Sequence, residues 1–331
     1  MYPTRPGACC FNPKNSKMHD QSARIAALTQ INIHDFLASF GLENLRFGRT
    51  ALETLCWLPA RRFARQMAAF DHKVSMLGLG EASRSLLPGY TRRLERRGQE
   101  NIPAAGPLLV LSNHPGMSDT LVLFASLPRL DLRAIAAERP FLKNLAAVSQ
   151  RLIFVSDDPG QRMGVVRAGV AHLRQGGALL TFPAGEIEPD PACLPGALES
   201  LESWSESITI FARLVPELVI ITAIISGVLW SRAMRHPLTR LRRAQPDRER
   251  LGAALQVLAQ MLLPSYRPVA PRVTYGAPLR LADYPARGNP EVLLQAIQGQ
   301  ARQSILSLEA ASAPPERSPL VRIPVKKGFR P

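Results

Sequence analysis

Several residue types that define a structural class are scarce in this sequence. The 331 residues include four cysteines, at positions 9, 10, 56 and 193, without a C-x-x-C pair. Neither a disulfide framework nor a zinc site is therefore expected, and a reducing compartment fits best. No repeat of fixed period is visible, which makes a solenoid or a propeller unlikely to form. Hydrophobic residues nevertheless make up 46 % of the chain, enough for a large core and too many for wholesale disorder.

Lysine is also scarce, although the chain is strongly basic. Lysine supplies six of the 41 basic residues and arginine the rest, and the formal net charge is +15. Residues 101–200 carry eight bases and nine acids, so the excess positive charge lies in the two flanks. A neutral centre with basic flanks suggests a surface that meets either a membrane or a nucleic acid. We rank nucleic acid last and expect no such partner, because no aromatic-interleaved platform or known motif accompanies the charge.

Long apolar runs are the third feature that the sequence lacks. The first residues contain no apolar segment of signal-peptide type, so secretion is not expected. The stretch 208–230 approaches the length of a membrane span, but Arg213, Pro216 and Glu217 interrupt it. We interpret it as the end of a helix followed by a buried strand. A protein of this kind would lie on a membrane rather than cross it.

The chain is predicted to be helical up to about Arg97, and residues 1–88 are assigned to an N-terminal helical region. Apolar residues recur there at three- and four-residue spacing, with a break in the pattern at Pro59. One stretch interleaves an apolar set with a basic set; these are Phe63, Met67 and Phe70 with Arg61, Arg62 and Arg65. Two interpretations stay open. The helix either packs on the core with a solvated arginine face, or lies on an anionic membrane surface.

From Pro107 the pattern changes to short apolar runs separated by helical segments. The runs are 108–111, 132–136, 152–155, 178–182, 218–225 and 272–275. This alternation predicts an α/β fold with a mainly parallel, twisted sheet flanked by helices. We expect the α/β domain to span 89–310, with a basic helical insertion at about 231–265 and a flexible tail at 311–331.

The most informative segment for chemistry is LLVLSNHPGMSD, residues 108–119. An apolar strand ends here, and His114 follows at the carboxyl end, where open α/β sheets place their ligands. Pro115 and Gly116 permit a turn into a helix whose first turn can return the Asp119 carboxylate to the imidazole. Such a pair forms the base and its orienting group in general acid–base catalysis.

Four segments in order resemble the lysophospholipid and glycerol-phosphate acyltransferases, also known as the 1-acylglycerol-3-phosphate acyltransferase-like family. The first is N-H-x4-D at 113–119, and the second is FPAG at 182–185, which is similar to the F-P-E-G block of the family. The strand and glycine of 218–227 and the segment VTYGAPLRL at 273–281 resemble its last strands. The resemblance covers about residues 90–285.

The resemblance implies an O-acyltransferase that moves a fatty acyl group from acyl-CoA or acyl-carrier protein to a hydroxyl of a lysolipid or glycerol-phosphate-type acceptor. His114 would be the general base and Asp119 its partner. Neither a bound cofactor nor a metal is implied, since the acyl thioester is a co-substrate. Location on the cytoplasmic side of a membrane, as a peripheral protein, is implied as well. Residues implied to bind the oxyanion, the acyl group or the acceptor are Asn113, Gly116, Phe182, Pro183, Gly185, Glu186 and Arg162.

The sequence departs from the family where the family places an arginine for the acceptor phosphate. Asp157 and Ile187 stand at those positions, and Ala184 replaces the glutamate of the F-P-E-G block. Arg162 or Arg151 is a possible substitute for the phosphate-binding arginine. Three acids follow FPAG, namely Glu186, Glu188 and Asp190, and we interpret them as a solvated, proline-rich loop.

These departures lead to two expectations. The acceptor is not a phosphate monoester, because such a group needs a fixed cation. The alternative function is a non-catalytic member of the same fold that binds a lipid or an acyl thioester. The intact His114 and Asp119 argue against it, since a binding module needs no base.

Overall fold

The computed structural model describes residues 13–39, 41–42, 48–116, 118–156, 158, 162–263, 266, 269–283 and 290–312. Eight strands form one sheet in these parts of the chain, in the order β1-β7-β6-β2-β5-β3-β4, and β8 pairs with β6. The strands are β1 (Glu95–Arg97), β2 (Leu108–Ser112), β3 (Arg133–Ala137), β4 (Leu152–Val155), β5 (Ala178–Thr181), β6 (Val219–Ser226), β7 (Arg272–Tyr275) and β8 (Leu279–Arg280).

The sheet is mostly parallel. Strand β2 pairs in parallel with β5 and β6, and β3 pairs in parallel with β4 and β5. Strand β6 pairs antiparallel with both β7 and β8. Every residue of β2, β5 and β6 is buried, which is the burial pattern of strands covered by helices on both faces. The predicted α/β class with a mainly parallel sheet is confirmed.

The helices follow the pattern expected from the sequence, with two exceptions described below. They are α1 (Pro13–Ser39), α2 (Arg49–Leu86), α3 (Asp119–Ser126), α4 (Pro140–Lys143), α5 (Ala146–Ser149), α6 (Arg162–Arg174), α7 (Thr209–Leu214), α8 (Ser231–Met234), α9 (Gln245–Leu262) and α10 (Pro290–Ser312). The segment 208–230 is a short helix, α7, followed by the buried strand β6, as predicted. The expected insertion is helical and contains α8 and α9.

Two local predictions are wrong. Helix α2 continues through Pro59 instead of breaking there, and its kink lies at Gly78, which has φ 78° and ψ 170°. Glycine adopts this conformation without the steric cost of a Cβ atom, so the chain bends there rather than at the proline. Residues 95–97, predicted as helical, instead form the edge strand β1 beside β7. A strand of three residues is too short to show a period of two.

The N-terminal helices belong to the core rather than to a separate layer. Leu28 of α1 and Met67 of α2 share one hydrophobic cluster with Leu108 and Val110, which point to one face of β2. The opposite face carries a second cluster, which includes Trp204 and residues of α10. The domain boundaries at 88/89 and 310/311 stay a prediction, and the tail 313–331 lies outside the described residues.

The apolar set on α2 that left two interpretations open is turned inward. Met67 and Phe70 are buried, and Phe63 is half-buried against the same cluster. This set therefore packs on the core. Across the described parts of the chain, none of the helices combines the length and the apolar character needed to cross a bilayer.

Candidate active site

The candidate site lies where β2 and β5 end side by side. Because these strands are parallel and Leu111 pairs with Thr181, their following residues meet at one edge of the sheet. His114 and Phe182 stack there, with ring centroids 4.2 Å apart and planes inclined by 28°. The topology thus joins the first and the second of the four resembling segments.

The turn after His114 depends on glycine. Gly116 has φ 86°, in the left-handed region that side chains with a Cβ rarely adopt. A Cβ at this position would also approach Cδ1 of Ile187 to 3.2 Å. The turn ends at Ser118, and Asp119 is the first residue of α3.

His114 and Asp119 form a buried hydrogen-bonded pair. Nδ1 of His114 lies 2.7 Å from Oδ2 of Asp119, whose residue is 1 % exposed. The carboxylate also accepts hydrogen bonds from the backbone N–H of Gly116 at 2.8 Å and from the N–H and hydroxyl of Thr120 at 2.5 and 3.0 Å. Because the carboxylate holds Nδ1, the other ring nitrogen, Nε2, is the one left for proton transfer. The side chain of His114 is 28 % exposed, so a substrate can reach it.

The amide of Asn113 is occupied by the fold. Its Nδ2 donates to the carbonyl of Ile225 at 2.9 Å, and its Oδ1 accepts from the N–H of the same residue at 2.8 Å. The side chain therefore extends the pairing between β2 and β6 and orients the backbone just before His114. Its implied role in oxyanion or acyl binding stays a prediction.

The loop after β5 supplies the other wall of the site. Pro183 is buried, Phe182 is half-buried, and Gly185, Glu186 and Ile187 are exposed. Gly185 has φ 70°, and its N–H donates to the carbonyl of Phe182 at 3.1 Å. Of these residues, Phe182 contacts His114, and the roles implied for Phe182, Pro183, Gly185 and Glu186 stay predictions.

These contacts reduce the number of backbone N–H groups that could bind an oxyanion. The N–H of Gly116 points to Asp119 and that of Gly185 to Phe182, so neither is available as the loops stand. An oxyanion would have to use other N–H groups of the two loops, or displace one of these bonds.

A second buried carboxylate, that of Glu188, is hydrogen-bonded to the backbone of His114. Its Oε2 accepts the backbone N–H of His114 at 3.0 Å, and its own N–H donates to the carbonyl of His114 at 2.9 Å. Glu188 is 2 % exposed, so the expected solvated loop is wrong for this residue.

Asp190 is also buried, at 0 % exposure, and it braces two loops. One oxygen accepts from the N–H groups of Ala192 at 2.9 Å and Gly227 at 2.8 Å. The other accepts from Val228 at 2.8 Å and Leu229 at 2.9 Å. The solvated-loop interpretation therefore holds only for Glu186. Acids at alternate positions share one side of an extended segment, but the sequence does not show whether that side faces water or the core.

The electrostatics of the site follow from these contacts. Burial disfavours the charged form of His114, but the hydrogen bond and charge of Asp119, together with the charge of Glu188, outweigh it and raise the pKa of the imidazole. Burial raises the pKa of Glu188 against the opposing effect of its hydrogen-bond donors. The site therefore favours a proton on His114 more strongly than water does.

The two arginines considered as phosphate ligands have different positions. Arg151 precedes β4 and lies at the amino-terminal edge of the parallel strands, opposite the site, where it donates to the carbonyl of Leu130 at 3.2 Å. It cannot substitute for a phosphate ligand at His114. Arg162 begins α6, but its side chain lies outside the described residues, as does all of Asp157.

A cavity of about 580 Å³ reaches the residue next to Asp119. It lies between α1, α2, α3 and α9, and its walls are mostly apolar. Residues that line it include Phe36, Pro59, Phe63, Met67, Ser118, Leu121 and Val257. Within the described ranges, no three His, Cys, Asp or Glu side chains are grouped to hold a metal ion.

Comparisons with known proteins show what the chain is similar to. Residues 93–225 match the family model described as Acyltransferase, a segment that runs from the edge of β1 through β6 and contains His114, Asp119 and Glu188. The chain is similar to the crystal structure of the 1-acyl-sn-glycerophosphate acyltransferase PlsC from Thermotoga maritima, with 14 % identity, a TM-score of 0.45, and coverage of 90 % of this chain and 98 % of that one. No curated protein matches the chain. The resemblance to the acyltransferase family is confirmed over residues 93–225.

Proposed function

We propose that the protein is an O-acyltransferase of the glycerolipid type, which transfers a fatty acyl group from acyl-CoA or acyl-carrier protein to the hydroxyl of a lysolipid. The observation that carries this proposal is the His114–Asp119 pair at 2.7 Å, at the carboxyl end of β2. The family match over 93–225 supports the same reaction class.

The reaction needs no nucleophile on the protein, because the acceptor hydroxyl itself attacks the thioester. Nε2 of His114 takes the proton of this hydroxyl while the hydroxyl oxygen attacks the thioester carbonyl carbon. The tetrahedral oxyanion then collapses, the C–S bond breaks, and the leaving thiolate takes the proton back from the imidazolium. Asp119 stabilises the imidazolium between these two transfers.

The apolar cavity suits the acyl chain of the donor or the acceptor. It opens beside Ser118, the neighbour of Asp119, and its walls offer the apolar contacts that bury methylene groups at about 0.8 kcal/mol each. We propose that the protein acts on a membrane surface with anionic lipid, where lysolipids are found.

The test of the reaction is substitution of the pair. His114→Ala should lower acyl transfer by about two to four orders of magnitude and leave the fold intact. Asp119→Asn should lower turnover with little change in donor binding. The measurement is transfer from labelled acyl-CoA to a panel of lysolipids, with thermal unfolding as the check of protein quality. Unchanged turnover in folded His114→Ala would refute the proposed function, and donor binding without turnover in the wild type would favour the non-catalytic alternative.

The acceptor is proposed to be a neutral, zwitterionic or amino-acid-headed lysolipid. Ile187 stands at the family position of an arginine and is 55 % exposed beside Gly116. The nearby carboxylates of Asp119 and Glu188 disfavour the binding of a further anion. A carboxylate about 4 Å from a phosphate costs on the order of 1 to 4 kcal/mol, depending on how strongly the solvent screens the pair.

Lysophosphatidic acid and glycerol 3-phosphate should therefore be poorer acceptors than the other lysolipids. Ile187→Arg should improve use of the phosphate acceptors, since an exposed side chain can lengthen without overpacking. Ile187→Gln is the matched control without charge. A wild-type preference for lysophosphatidic acid would show that another cation, such as Arg162, binds the phosphate.

A further inference from the structure

We propose that Glu188 is a positioning residue for His114, which fixes its backbone and supplies a second negative charge to its ring. This inference rests on the proposed function. Two hydrogen bonds join these residues. The N–H of His114 donates to Oε2 of Glu188 at 3.0 Å, and the N–H of Glu188 donates to the carbonyl of His114 at 2.9 Å. His114 is thereby held by its backbone as well as by the hydrogen bond of its ring to Asp119.

The carboxylate of Glu188 is itself held by two further donors. Its Oε1 accepts the hydroxyl of Ser200 at 3.1 Å and the indole N–H of Trp204 at 3.0 Å, and Trp204 is 2 % exposed. The N–H groups of His114 and Trp204 thus donate to different oxygens of one carboxylate. An ionised carboxylate accepts at both oxygens, whereas an amide presents a donor at one of them. These two contacts favour the ionised form.

Burying a charged group costs free energy unless the group is paired with an opposite charge and hydrogen-bonded. The charged groups that act on the His114 ring are Asp119 from α3 and Glu188 from the loop after β5. Two carboxylates stabilise the imidazolium more than one does, and they make the neutral ring a stronger base. Glu188 would contribute to the reaction without touching the substrate.

The experiment compares Glu188→Gln with Glu188→Asp. Removing the charge should move the acid limb of the kcat/KM profile to lower pH by about one unit. Glu188→Asp keeps the charge, so its limb should stay in place even where its rate falls. Glu202→Gln is the matched control: it makes the same charge change on an exposed acid close to Trp204 in the chain, and its profile should equal that of the wild type.

The pKa of the His114 ring, followed by NMR, provides a readout that does not depend on turnover. It should fall in Glu188→Gln and stay in Glu188→Asp. Equal loss of rate in the two variants, with both pKa values unchanged, would reduce Glu188 to a structural residue and overturn the inference. Absence of acyl transfer in the wild type would instead refute the proposed function, while the NMR result would still test Glu188.

A different observation carries a second inference, on the acyl chain. Two polar groups that line the cavity have no hydrogen-bond partner among the described residues, the hydroxyl of Ser118 and Nδ2 of Asn32. Ser118 is 8 % exposed and stands at the N-cap of α3, where serine usually caps the helix, yet its side chain makes no capping bond. By contrast, Gln66 and Tyr90 of the same lining bond to each other at 2.5 Å.

We infer that the cavity takes an acyl chain that carries an oxygen, with a hydroxyl near its carboxyl end bonded to Ser118. Unpaired buried donors are rare, and each gains a hydrogen bond only when a polar ligand group arrives. Ser118 lies next to Asp119, so its partner belongs near the reacting end of the chain. This inference also rests on the proposed function.

The probes are 3-hydroxyacyl-CoA and unsubstituted acyl-CoA of equal chain length. The wild type should prefer the 3-hydroxy chain in kcat/KM, and Ser118→Ala should lower that preference about tenfold. Ser83→Ala is the matched control, because Ser83 is fully buried in α2 with an unpartnered hydroxyl but does not line the cavity. It should leave the preference unchanged.

The outcomes separate the two levels of the proposal. Equal use of both chains by the wild type, or an equal preference in wild type and Ser118→Ala, would show that water or nothing occupies the polar groups, and would overturn this inference. Absence of transfer with either chain would instead refute the proposed function. Thermal stabilisation by 3-hydroxyacyl-CoA that Ser118→Ala reduces would support the hydrogen bond independently of turnover.

Discussion

At the scale of single residues, the pair of His114 and Asp119 makes the reaction dependent on pH in a defined direction. In the proposed mechanism the neutral imidazole is the base. Burial acts to lower its pKa, but Asp119 and Glu188 outweigh burial and raise the pKa. Transfer should therefore fall as the pH drops through a value above the ordinary pKa of histidine, about 6.5. Asp119→Asn removes one of the raising charges, so its acid limb should move to lower pH while its maximal rate falls. A limb at the same pH in both proteins would contradict the assignment of His114 as the titrating base.

The raised pKa of His114 also makes the free energy of unfolding depend on pH. Its direction is opposite to that of acyl transfer, because the protonated ring favours the fold and the neutral ring favours the reaction. The folded protein binds the proton more tightly than the unfolded chain, so the protonated ring stabilises the fold. This contribution is fully present below the pKa of the unfolded ring and is lost as the pH rises through the folded value. Thermal unfolding of the wild type and Asp119→Asn across that window measures it.

At the scale of elements, Asp190 joins the loop after β5 to the loop after β6. Its carboxylate accepts four backbone N–H groups between 2.8 and 2.9 Å, three of them in residues 227–229. Asp190→Ala leaves these donors unpaired in a buried place. The free energy of unfolding should fall by about 3 kcal/mol or more, and Glu188 should lose its fixed position. Chemical denaturation measures the effect, with the exposed Glu186→Ala as a control that should change little.

At the scale of the whole molecule, the basic charge meets exposed apolar side chains at the start of α2. Leu55 and Leu58 are 73 % and 68 % exposed, Trp57 is 41 % exposed, and the guanidinium of Arg61 lies 4.8 Å from the Trp57 ring centroid. This surface, rather than the buried set around Met67, is the one that we expect to meet an anionic membrane.

Leu55→Ser with Leu58→Ser should weaken co-sedimentation with anionic vesicles. Met76→Ser with Leu77→Ser is the matched control, because these residues are 71 % and 54 % exposed near the other end of α2. Equal loss in both apolar variants would show that the start of α2 has no special role.

Replacing Arg61, Arg62 and Arg65 by Gln should weaken vesicle binding at low salt, by about 1 kcal/mol for each charge near the surface.

The strands and the His–Asp pair could be predicted from the sequence, because both depend on short-range patterns. Apolar runs of four to eight residues mark buried strands wherever they pair, and the five-residue spacing from His114 to Asp119 closes within one turn. The mainly parallel order followed from the alternation of strands with helices.

What surrounds His114 depends on contacts between distant segments. Glu188 lies 74 residues from His114 in the chain, and Asp190 lies 38 residues from Val228. Local pattern cannot show whether an acid in a proline-rich segment faces water or is buried by donors from another strand. The inward side of α2 was likewise decided by packing on α1 and the sheet, since both of its faces carry apolar residues. The sequence by itself determined the mainly parallel α/β class and the spacing that brings Asp119 back to His114. Only the tertiary structure decided which charges, cavity and surface surround that pair, because burial is a property of the assembled layers.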